Sequence, residues 1–171
     1  AATLMLGAIA GIGLADQVSA QTVEKPVYTG FERDPAKSDK QALSLVLGIL
    51  NSPSVEDKAE LIGDSNGYNI AAAFLDKDKK IVAMQVTDGC GIIGCMTLIF
   101  VQTDPAKNIW TRAFQELAYN LWAVNDGTGV FKIAYETGRP ASIGTLKLIG
   151  SSFESLDYKA PDAATAEAPK P

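Results

Sequence analysis

From residue 68 onward, short β-rich segments alternate with turn signals, and this pattern constrains the fold more than any other feature of the sequence. The segments are rich in Val, Ile, Thr and aromatic residues, which favour strands. The predicted strands cover residues 68–75, 81–86, 95–102, 130–135 and 145–149. The polar turn at 76–80 joins the first two strands as a hairpin. Short connections of this kind predict a mostly antiparallel sheet.

Before these strands, the apolar residues follow the period of a helix. Ser38 and Gln41 form a capping box at its predicted start. Four apolar residues then fall at i, i+3, i+4 and i+7 on one helical face: Leu43, Val46, Leu47 and Leu50. Ser54 begins a second, shorter predicted helix that reaches Ile62. Helices followed by strands predict an α+β domain over residues 38–158, with N-terminal helices packed on the sheet.

The sequence of residues 108–124 is compatible with a helix and with strands. Apolar residues recur there at helical spacing, and Ala, Gln, Glu and Leu favour a helix. The alternative is two short strands broken near Ala118. We favour the helix at the front of the segment.

Four aromatic residues of this segment could line a groove for sugars or peptide, although such residues are more often core: Trp110, Phe114, Tyr119 and Trp122.

Residues 1–20 have the pattern of an export signal. Residues 3–15 carry no charge, and this stretch is shorter than the roughly 20 apolar residues of a spanning helix. Val18 and Ala20 are small residues at the −3 and −1 positions of a cleavage site, so we expect cleavage after Ala20. The alternatives are a packed N-terminal helix and an unprocessed protein that residues 3–15 hold in the membrane.

Irregular segments flank the predicted domain. Residues 21–37 contain Pro26 and Pro35 and are interpreted as an extended lead-in. Residues 159–171 are rich in Ala and Pro and lack large apolar side chains. We expect this tail to be disordered, because it cannot bury enough apolar surface to offset its loss of entropy on ordering.

The chain contains no histidine, which narrows the chemistry available to it. Ser-His-Asp and Cys-His catalysis lose their usual base, and zinc and haem sites lose their commonest nitrogen ligand. We therefore expect no metal and no cofactor, and an enzyme would depend on carboxylates, Lys, Tyr or backbone groups. The formal net charge of −5 repels phosphate backbones, so we expect no nucleic-acid partner.

The two cysteines, Cys90 and Cys95, are predicted to form a disulfide. An exported chain meets an oxidising compartment, and two cysteines pair with none left over. Gly89, Gly91 and Gly94 allow the tight backbone that brings the cysteines together. Thiol oxidoreductases use Cys-x-x-Cys at a helix N-terminus. Here four residues separate the cysteines and strands flank them, so we interpret the bond as structural.

Ile92 and Ile93 occupy the centre of this loop. If the loop projects, the two side chains offer an apolar tip to a partner protein or to lipid. The alternative is that the loop folds back and both join the core, as large apolar residues usually do. The hypothesis is that this loop is a contact site, and membrane association is expected only through this loop or an uncleaved N-terminus.

The sequence therefore favours a non-enzymatic interaction or accessory module of a bacterial envelope assembly, periplasmic or secreted. The alternative function is a small exported hydrolase that uses two carboxylates. The spacing of the acidic residues singles out no such pair.

Overall fold

The computed structural model describes residues 25–52, 69–138 and 142–156. Within these residues the chain forms one α-helix and nine strands: β1 (Val27–Gly30), α1 (Lys40–Leu50), β2 (Ile70–Phe74), β3 (Ile81–Val86), β4 (Cys95–Asp104), β5 (Ile109–Ala118), β6 (Asn120–Asn125), β7 (Lys132–Thr137), β8 (Ser142–Ile149) and β9 (Ser152–Ser155). All strand pairs are antiparallel. The strands form a five-stranded sheet in the order β1-β6-β7-β8-β9 and a four-stranded sheet in the order β2-β3-β4-β5.

The fold is thus mostly antiparallel β-structure with one described α-helix and one disulfide. The α+β prediction is confirmed only in this coarse form, because it expected several helices on one sheet. The predicted helix at 54–62 lies outside the described residues, as do the predicted signal at 1–20 and the tail at 159–171. The described residues contain no helix with the length and hydropathy needed to cross a membrane.

The start of α1 differs from the predicted capping box. The carboxylate of Asp39 accepts hydrogen bonds from the backbone N–H groups of Gln41 and Ala42, so Asp39 is the N-cap. The hydroxyl of Ser38 instead accepts the N–H of Ala72 at the free edge of β2, at 3.1 Å. The Ser38 hydroxyl therefore bonds to the sheet, and the next residue, Asp39, caps the helix.

The four-stranded sheet has two apolar faces, and a different layer covers each. All six side chains of β3 are buried, and they alternate between the two faces. One face packs against α1 in a cluster that includes Val46 and Met84. The other face packs against the five-stranded sheet in a cluster that includes Ile99, Leu121 and Ile133. The four-stranded sheet is therefore the central layer.

The prediction of a helix within 108–124 is wrong, and the two-strand alternative is confirmed. The segment forms β5 and β6, separated only by residue 119. A register shift between Ile99 and Phe100 of the paired strand β4 places Trp110 and Phe114 in the two different apolar clusters. Apolar residues at helical spacing therefore arise here without a helix, because both faces of β5 contact an apolar layer.

Two further strands were not predicted. β1 lies within the segment interpreted as an irregular lead-in, and it pairs with β6 at the edge of the five-stranded sheet. β9 is the opposite edge strand and pairs with β8. Each strand contains four residues. All four are exposed in β1 and three of the four are exposed in β9, so neither strand carries a clear alternating apolar pattern.

Candidate functional site

The disulfide between Cys90 and Cys95 is formed and closes the loop between β3 and β4, as predicted. The Cα atoms of the two cysteines are 4.3 Å apart. Inside the bridge, the N–H groups of Gly91 and Gly94 each donate to the other's carbonyl oxygen, at 3.0 and 3.2 Å. These two bonds make a tight hairpin with Ile92 and Ile93 at its turn.

Gly94 fixes the base of this hairpin against β5. Its φ of 127° lies in the region that favours glycine. A Cβ atom at this position would lie 2.5 Å from the carbonyl carbon of Ala118, closer than any side chain can approach backbone. The loop therefore packs directly against the end of β5, and only glycine permits this contact.

Two hydrogen bonds anchor the hairpin to the five-stranded sheet. The hydroxyl of Tyr119 donates to the carbonyl oxygen of Gly91, at 3.0 Å. The N–H of Gly138, just after β7, donates to the carbonyl oxygen of Ile93, at 3.4 Å. The backbone of the tip is therefore held from both sides.

Tyr119 is itself held in place, because it is the single residue between β5 and β6. Its backbone N–H donates to the carbonyl oxygen of Glu136, at 2.7 Å. Its carbonyl oxygen accepts a hydrogen bond from Nη1 of Arg33, also at 2.7 Å. The pattern of the sequence places Tyr119 only among possible core or groove aromatics. Its position beside the predicted break near Ala118 is the one local signal for its role at the loop.

The side chains at the tip point into solvent. Ile92 is 75% exposed and Ile93 is 51% exposed. The alternative in which both isoleucines join the core is therefore wrong. The two exposed isoleucines are adjacent on a fixed hairpin, and an exposed apolar patch often marks an interaction site.

Two hydrogen-bonded carboxylates lie in the segments that lead to the loop and to Gly138: Asp88 and Glu136. The carboxylate of Asp88 accepts hydrogen bonds from the backbone N–H and the side-chain amide of Asn69, at 2.8 and 3.0 Å. The backbone bond, followed by the amide bond, holds the pKa of Asp88 below its ordinary value. The carboxylate of Glu136 accepts a bond of 2.6 Å from the amide of Asn120. Both carboxylates are therefore held by amide groups of the protein itself.

The shifted carboxyl groups do not favour the hydrolase alternative. The N–H of Asp34 lowers the pKa of Glu32, and the side chains around Asp126, first among them Lys132, lower its pKa to about 2. The pKa of Asp88 is lowered as well. A carboxylic acid that protonates a leaving group needs the opposite shift.

Within the described ranges, no three His, Cys, Asp or Glu side chains come together as a group that could hold a metal ion.

The four aromatic residues considered for a groove lie in different parts of the fold. Trp110 packs near α1, Phe114 lies between the sheets, Tyr119 supports the loop, and the indole of Trp122 lies over Gly30.

Comparisons with protein-family models, with curated proteins and with solved structures found no match.

Proposed function

We propose that this protein is an exported, non-enzymatic interaction module of a bacterial envelope assembly, and that the tip of the disulfide-closed loop is its contact site. One observation carries the proposal: Ile92 and Ile93 are exposed on a hairpin whose base is fixed. Apolar side chains on a preorganised scaffold are the usual anchors of protein interfaces, because little conformational entropy is lost when they bind.

The exposed area at the tip is large enough to matter for affinity. Full burial of an isoleucine side chain stabilises by about 1.5–3 kcal/mol. With three quarters of Ile92 and half of Ile93 still exposed, burial of both in a partner is worth about 2–4 kcal/mol. That free energy corresponds to roughly a 30- to 1000-fold gain in affinity.

The disulfide supports the proposed compartment. Disulfides persist in the periplasm and outside the cell and are rare in the cytosol. Together with the predicted signal at residues 1–20, the Cys90–Cys95 bridge favours a periplasmic or secreted protein.

The charges favour a protein partner over an anionic lipid surface. The whole chain has a formal net charge of −5. Anionic lipid headgroups attract basic segments and repel acidic ones. An apolar pocket is the surface complementary to the two exposed isoleucines.

The test combines stability with partner capture. We expect the double variant Ile92→Ser/Ile93→Ser to lose its crosslinked partner in the native envelope, while its Tm stays within about 2 °C of the wild-type value. Ile109→Ser is the matched control, since Ile109 is a 47% exposed isoleucine at the start of β5. The control should keep the partner. Unchanged capture by the double variant, or a Tm loss of many degrees, would contradict the proposal.

A further inference from the structure

We infer that the Cys90–Cys95 bridge is a redox switch for the loop tip: its reduction releases the tip and weakens the contact while the two sheets stay folded. This inference rests on the proposal that the tip is a contact site, and it adds the regulation of that site. It follows from what the bridge holds and from the unequal exposure of its two cysteines.

Cys95 belongs to the fixed part of the loop. It is the first residue of β4, it pairs with Ala118, and only 3% of its surface is exposed. The hydroxyl of Thr97 donates to its carbonyl oxygen, at 3.1 Å. The preceding residue, Gly94, is buried against the backbone of Ala118. None of these contacts involves the bridge, so this half of the loop stays in place when the bridge opens.

The start of the loop is also held without the bridge. The N–H and the hydroxyl of Thr87 both donate to the carbonyl oxygen of Asn69, at 2.8 and 2.9 Å. The carboxylate of Asp88 accepts two further hydrogen bonds from Asn69. Residues 89–93 lie between these two fixed points, and all of them are exposed. The segment that the bridge controls is therefore short, and it contains the tip.

The order of residues 89–93 depends on the bridge and on a few hydrogen bonds. Those that the structure describes are the two backbone bonds between Gly91 and Gly94 and the bonds from Tyr119 and Gly138. Water competes for bonds at an exposed loop, so each contributes little net free energy. Because every residue of this segment is exposed, burial of apolar side chains adds little to its order. Segments of this kind open locally, and we expect this one to open once its covalent tie is cut.

Reduction leaves the rest of the fold intact. The bridge joins residues that are only five positions apart, so it restricts the unfolded chain very little. The pairing of β3 with β4 reaches Gln85 and Thr97 without it, and the amide of Gln85 donates to the Thr97 hydroxyl at 2.9 Å. Cutting the bridge therefore changes the tip and not the sheets, as a switch requires.

Cys90 is the cysteine that a reductant reaches, because it lies in the exposed segment whereas Cys95 is buried. One thiolate of a dithiol protein attacks Sγ of Cys90; the S–S bond breaks, and Cys95 leaves as a thiolate that takes up a proton. The second thiol of the reductant loses its proton and displaces Cys90 from the mixed disulfide, and Cys90 is protonated in turn. Two electrons thus pass to the bridge, which becomes two thiols, and the dithiol becomes a disulfide.

The reduced form of Cys90 has a hydrogen-bond acceptor within reach. Its Sγ lies 3.2 Å from the carbonyl oxygen of Thr87. A sulfur in a disulfide carries no proton, whereas a thiol donates weakly to such an oxygen. The open form therefore gains a bond that the closed form lacks, which favours reduction.

Hydrogen–deuterium exchange on the full chain, with and without dithiothreitol, tests the opening. Dithiothreitol should reduce the bridge in the folded protein, without denaturant. Exchange of the Gly91 and Gly94 amides should then rise by about tenfold or more, while β3 and β4 keep their protection. Glutathione, a monothiol, should form its mixed disulfide at Cys90 and leave Cys95 for rapid alkylation, as read by peptide mapping. A bridge that resists reduction until the sheets unfold overturns the inference, and so does unchanged exchange at both glycines.

Photo-crosslinking from position 92 in the native envelope tests the effect on the contact. Reduction should lower the yield of the protein adduct by about tenfold or more, because a disordered tip must be ordered again on binding. Cys90→Ser/Cys95→Ser is the matched control. It should give the same low yield with no reductant present, so that an effect of dithiothreitol on the partner cannot explain the loss. Its Tm should show a folded chain.

The outcomes separate the two proposals. Equal adduct yields from the oxidised chain, the reduced chain and the serine variant overturn the switch and leave the contact site standing. No adduct from the oxidised chain overturns the proposed function, and the switch with it.

Discussion

Replacing Gly94 with alanine adds one methyl group at the base of the loop, where the backbone of β5 leaves no room for it. The new Cβ would lie 2.5 Å from the carbonyl carbon of Ala118 and 2.7 Å from its nitrogen. A non-glycine residue in such a backbone conformation costs about 1–3 kcal/mol, and forced overpacking costs about 1–3 kcal/mol more. We therefore expect Gly94→Ala to lower the free energy of unfolding by about 2–6 kcal/mol.

Urea unfolding with the disulfide intact measures this loss. Gly91→Ala is the matched control in the same loop, because a Cβ at Gly91 meets no heavy atom within 4 Å. We expect the control to cost less than about 1 kcal/mol. The described packing of the loop against β5 would be refuted if the free energy of unfolding of Gly94→Ala lay within about 0.5 kcal/mol of the wild-type value. Equal losses of stability at both glycines would refute it too.

Three further perturbations test other parts of the structure. Leu98→Ala opens a cavity beneath α1 at a fully buried position and should cost about 2–5 kcal/mol in urea unfolding, whereas Leu47→Ala on the exposed side of α1 should cost under about 1 kcal/mol. The ion pair of Asp126 stabilises the fold above pH 4 and is lost as the pH falls towards 2, so Asp126→Asn should flatten the pH dependence of Tm in that window. Cys90→Ala/Cys95→Ala should lower the free energy of unfolding by about 2 kcal/mol, since the closed loop is short.

The sequence pattern predicts β2, β3, β4 and β8 because each combines β-forming residues with a clear turn signal at its ends. The predicted segment 81–86 coincides with β3, and 95–102 covers most of β4. The helix at 38–50 was also predicted, to within two residues of α1. Local propensity and local turn chemistry agree in these segments, so they need no tertiary information.

The segment that became β5 and β6 required tertiary information. Its residues favour a helix locally, and only pairing with β4, β1 and β7 makes the extended form stable. The register shift between Ile99 and Phe100 also removes the simple alternation by which a strand is recognised. Edge strands β1 and β9 lack that alternation as well, because their side chains are mostly exposed.

At the loop, the sequence predicted the bridge but left the placement of the tip open. Ile92 and Ile93 are residues that composition alone assigns to a core. Their exposure depends on contacts made by distant residues, the hydroxyl of Tyr119 and the N–H of Gly138. Neither contact has a local signature, since the first spans 28 residues of the chain.

Photo-crosslinking from the tip tests the central claim most directly. A photoreactive amino acid is placed at Ile92, and in a control chain at Gln115, which is exposed on β5. After irradiation in the native envelope, we expect a covalent protein adduct from position 92 and none from position 115. No adduct from position 92, or equal yields from both positions, would contradict the assignment of the loop tip as a contact site.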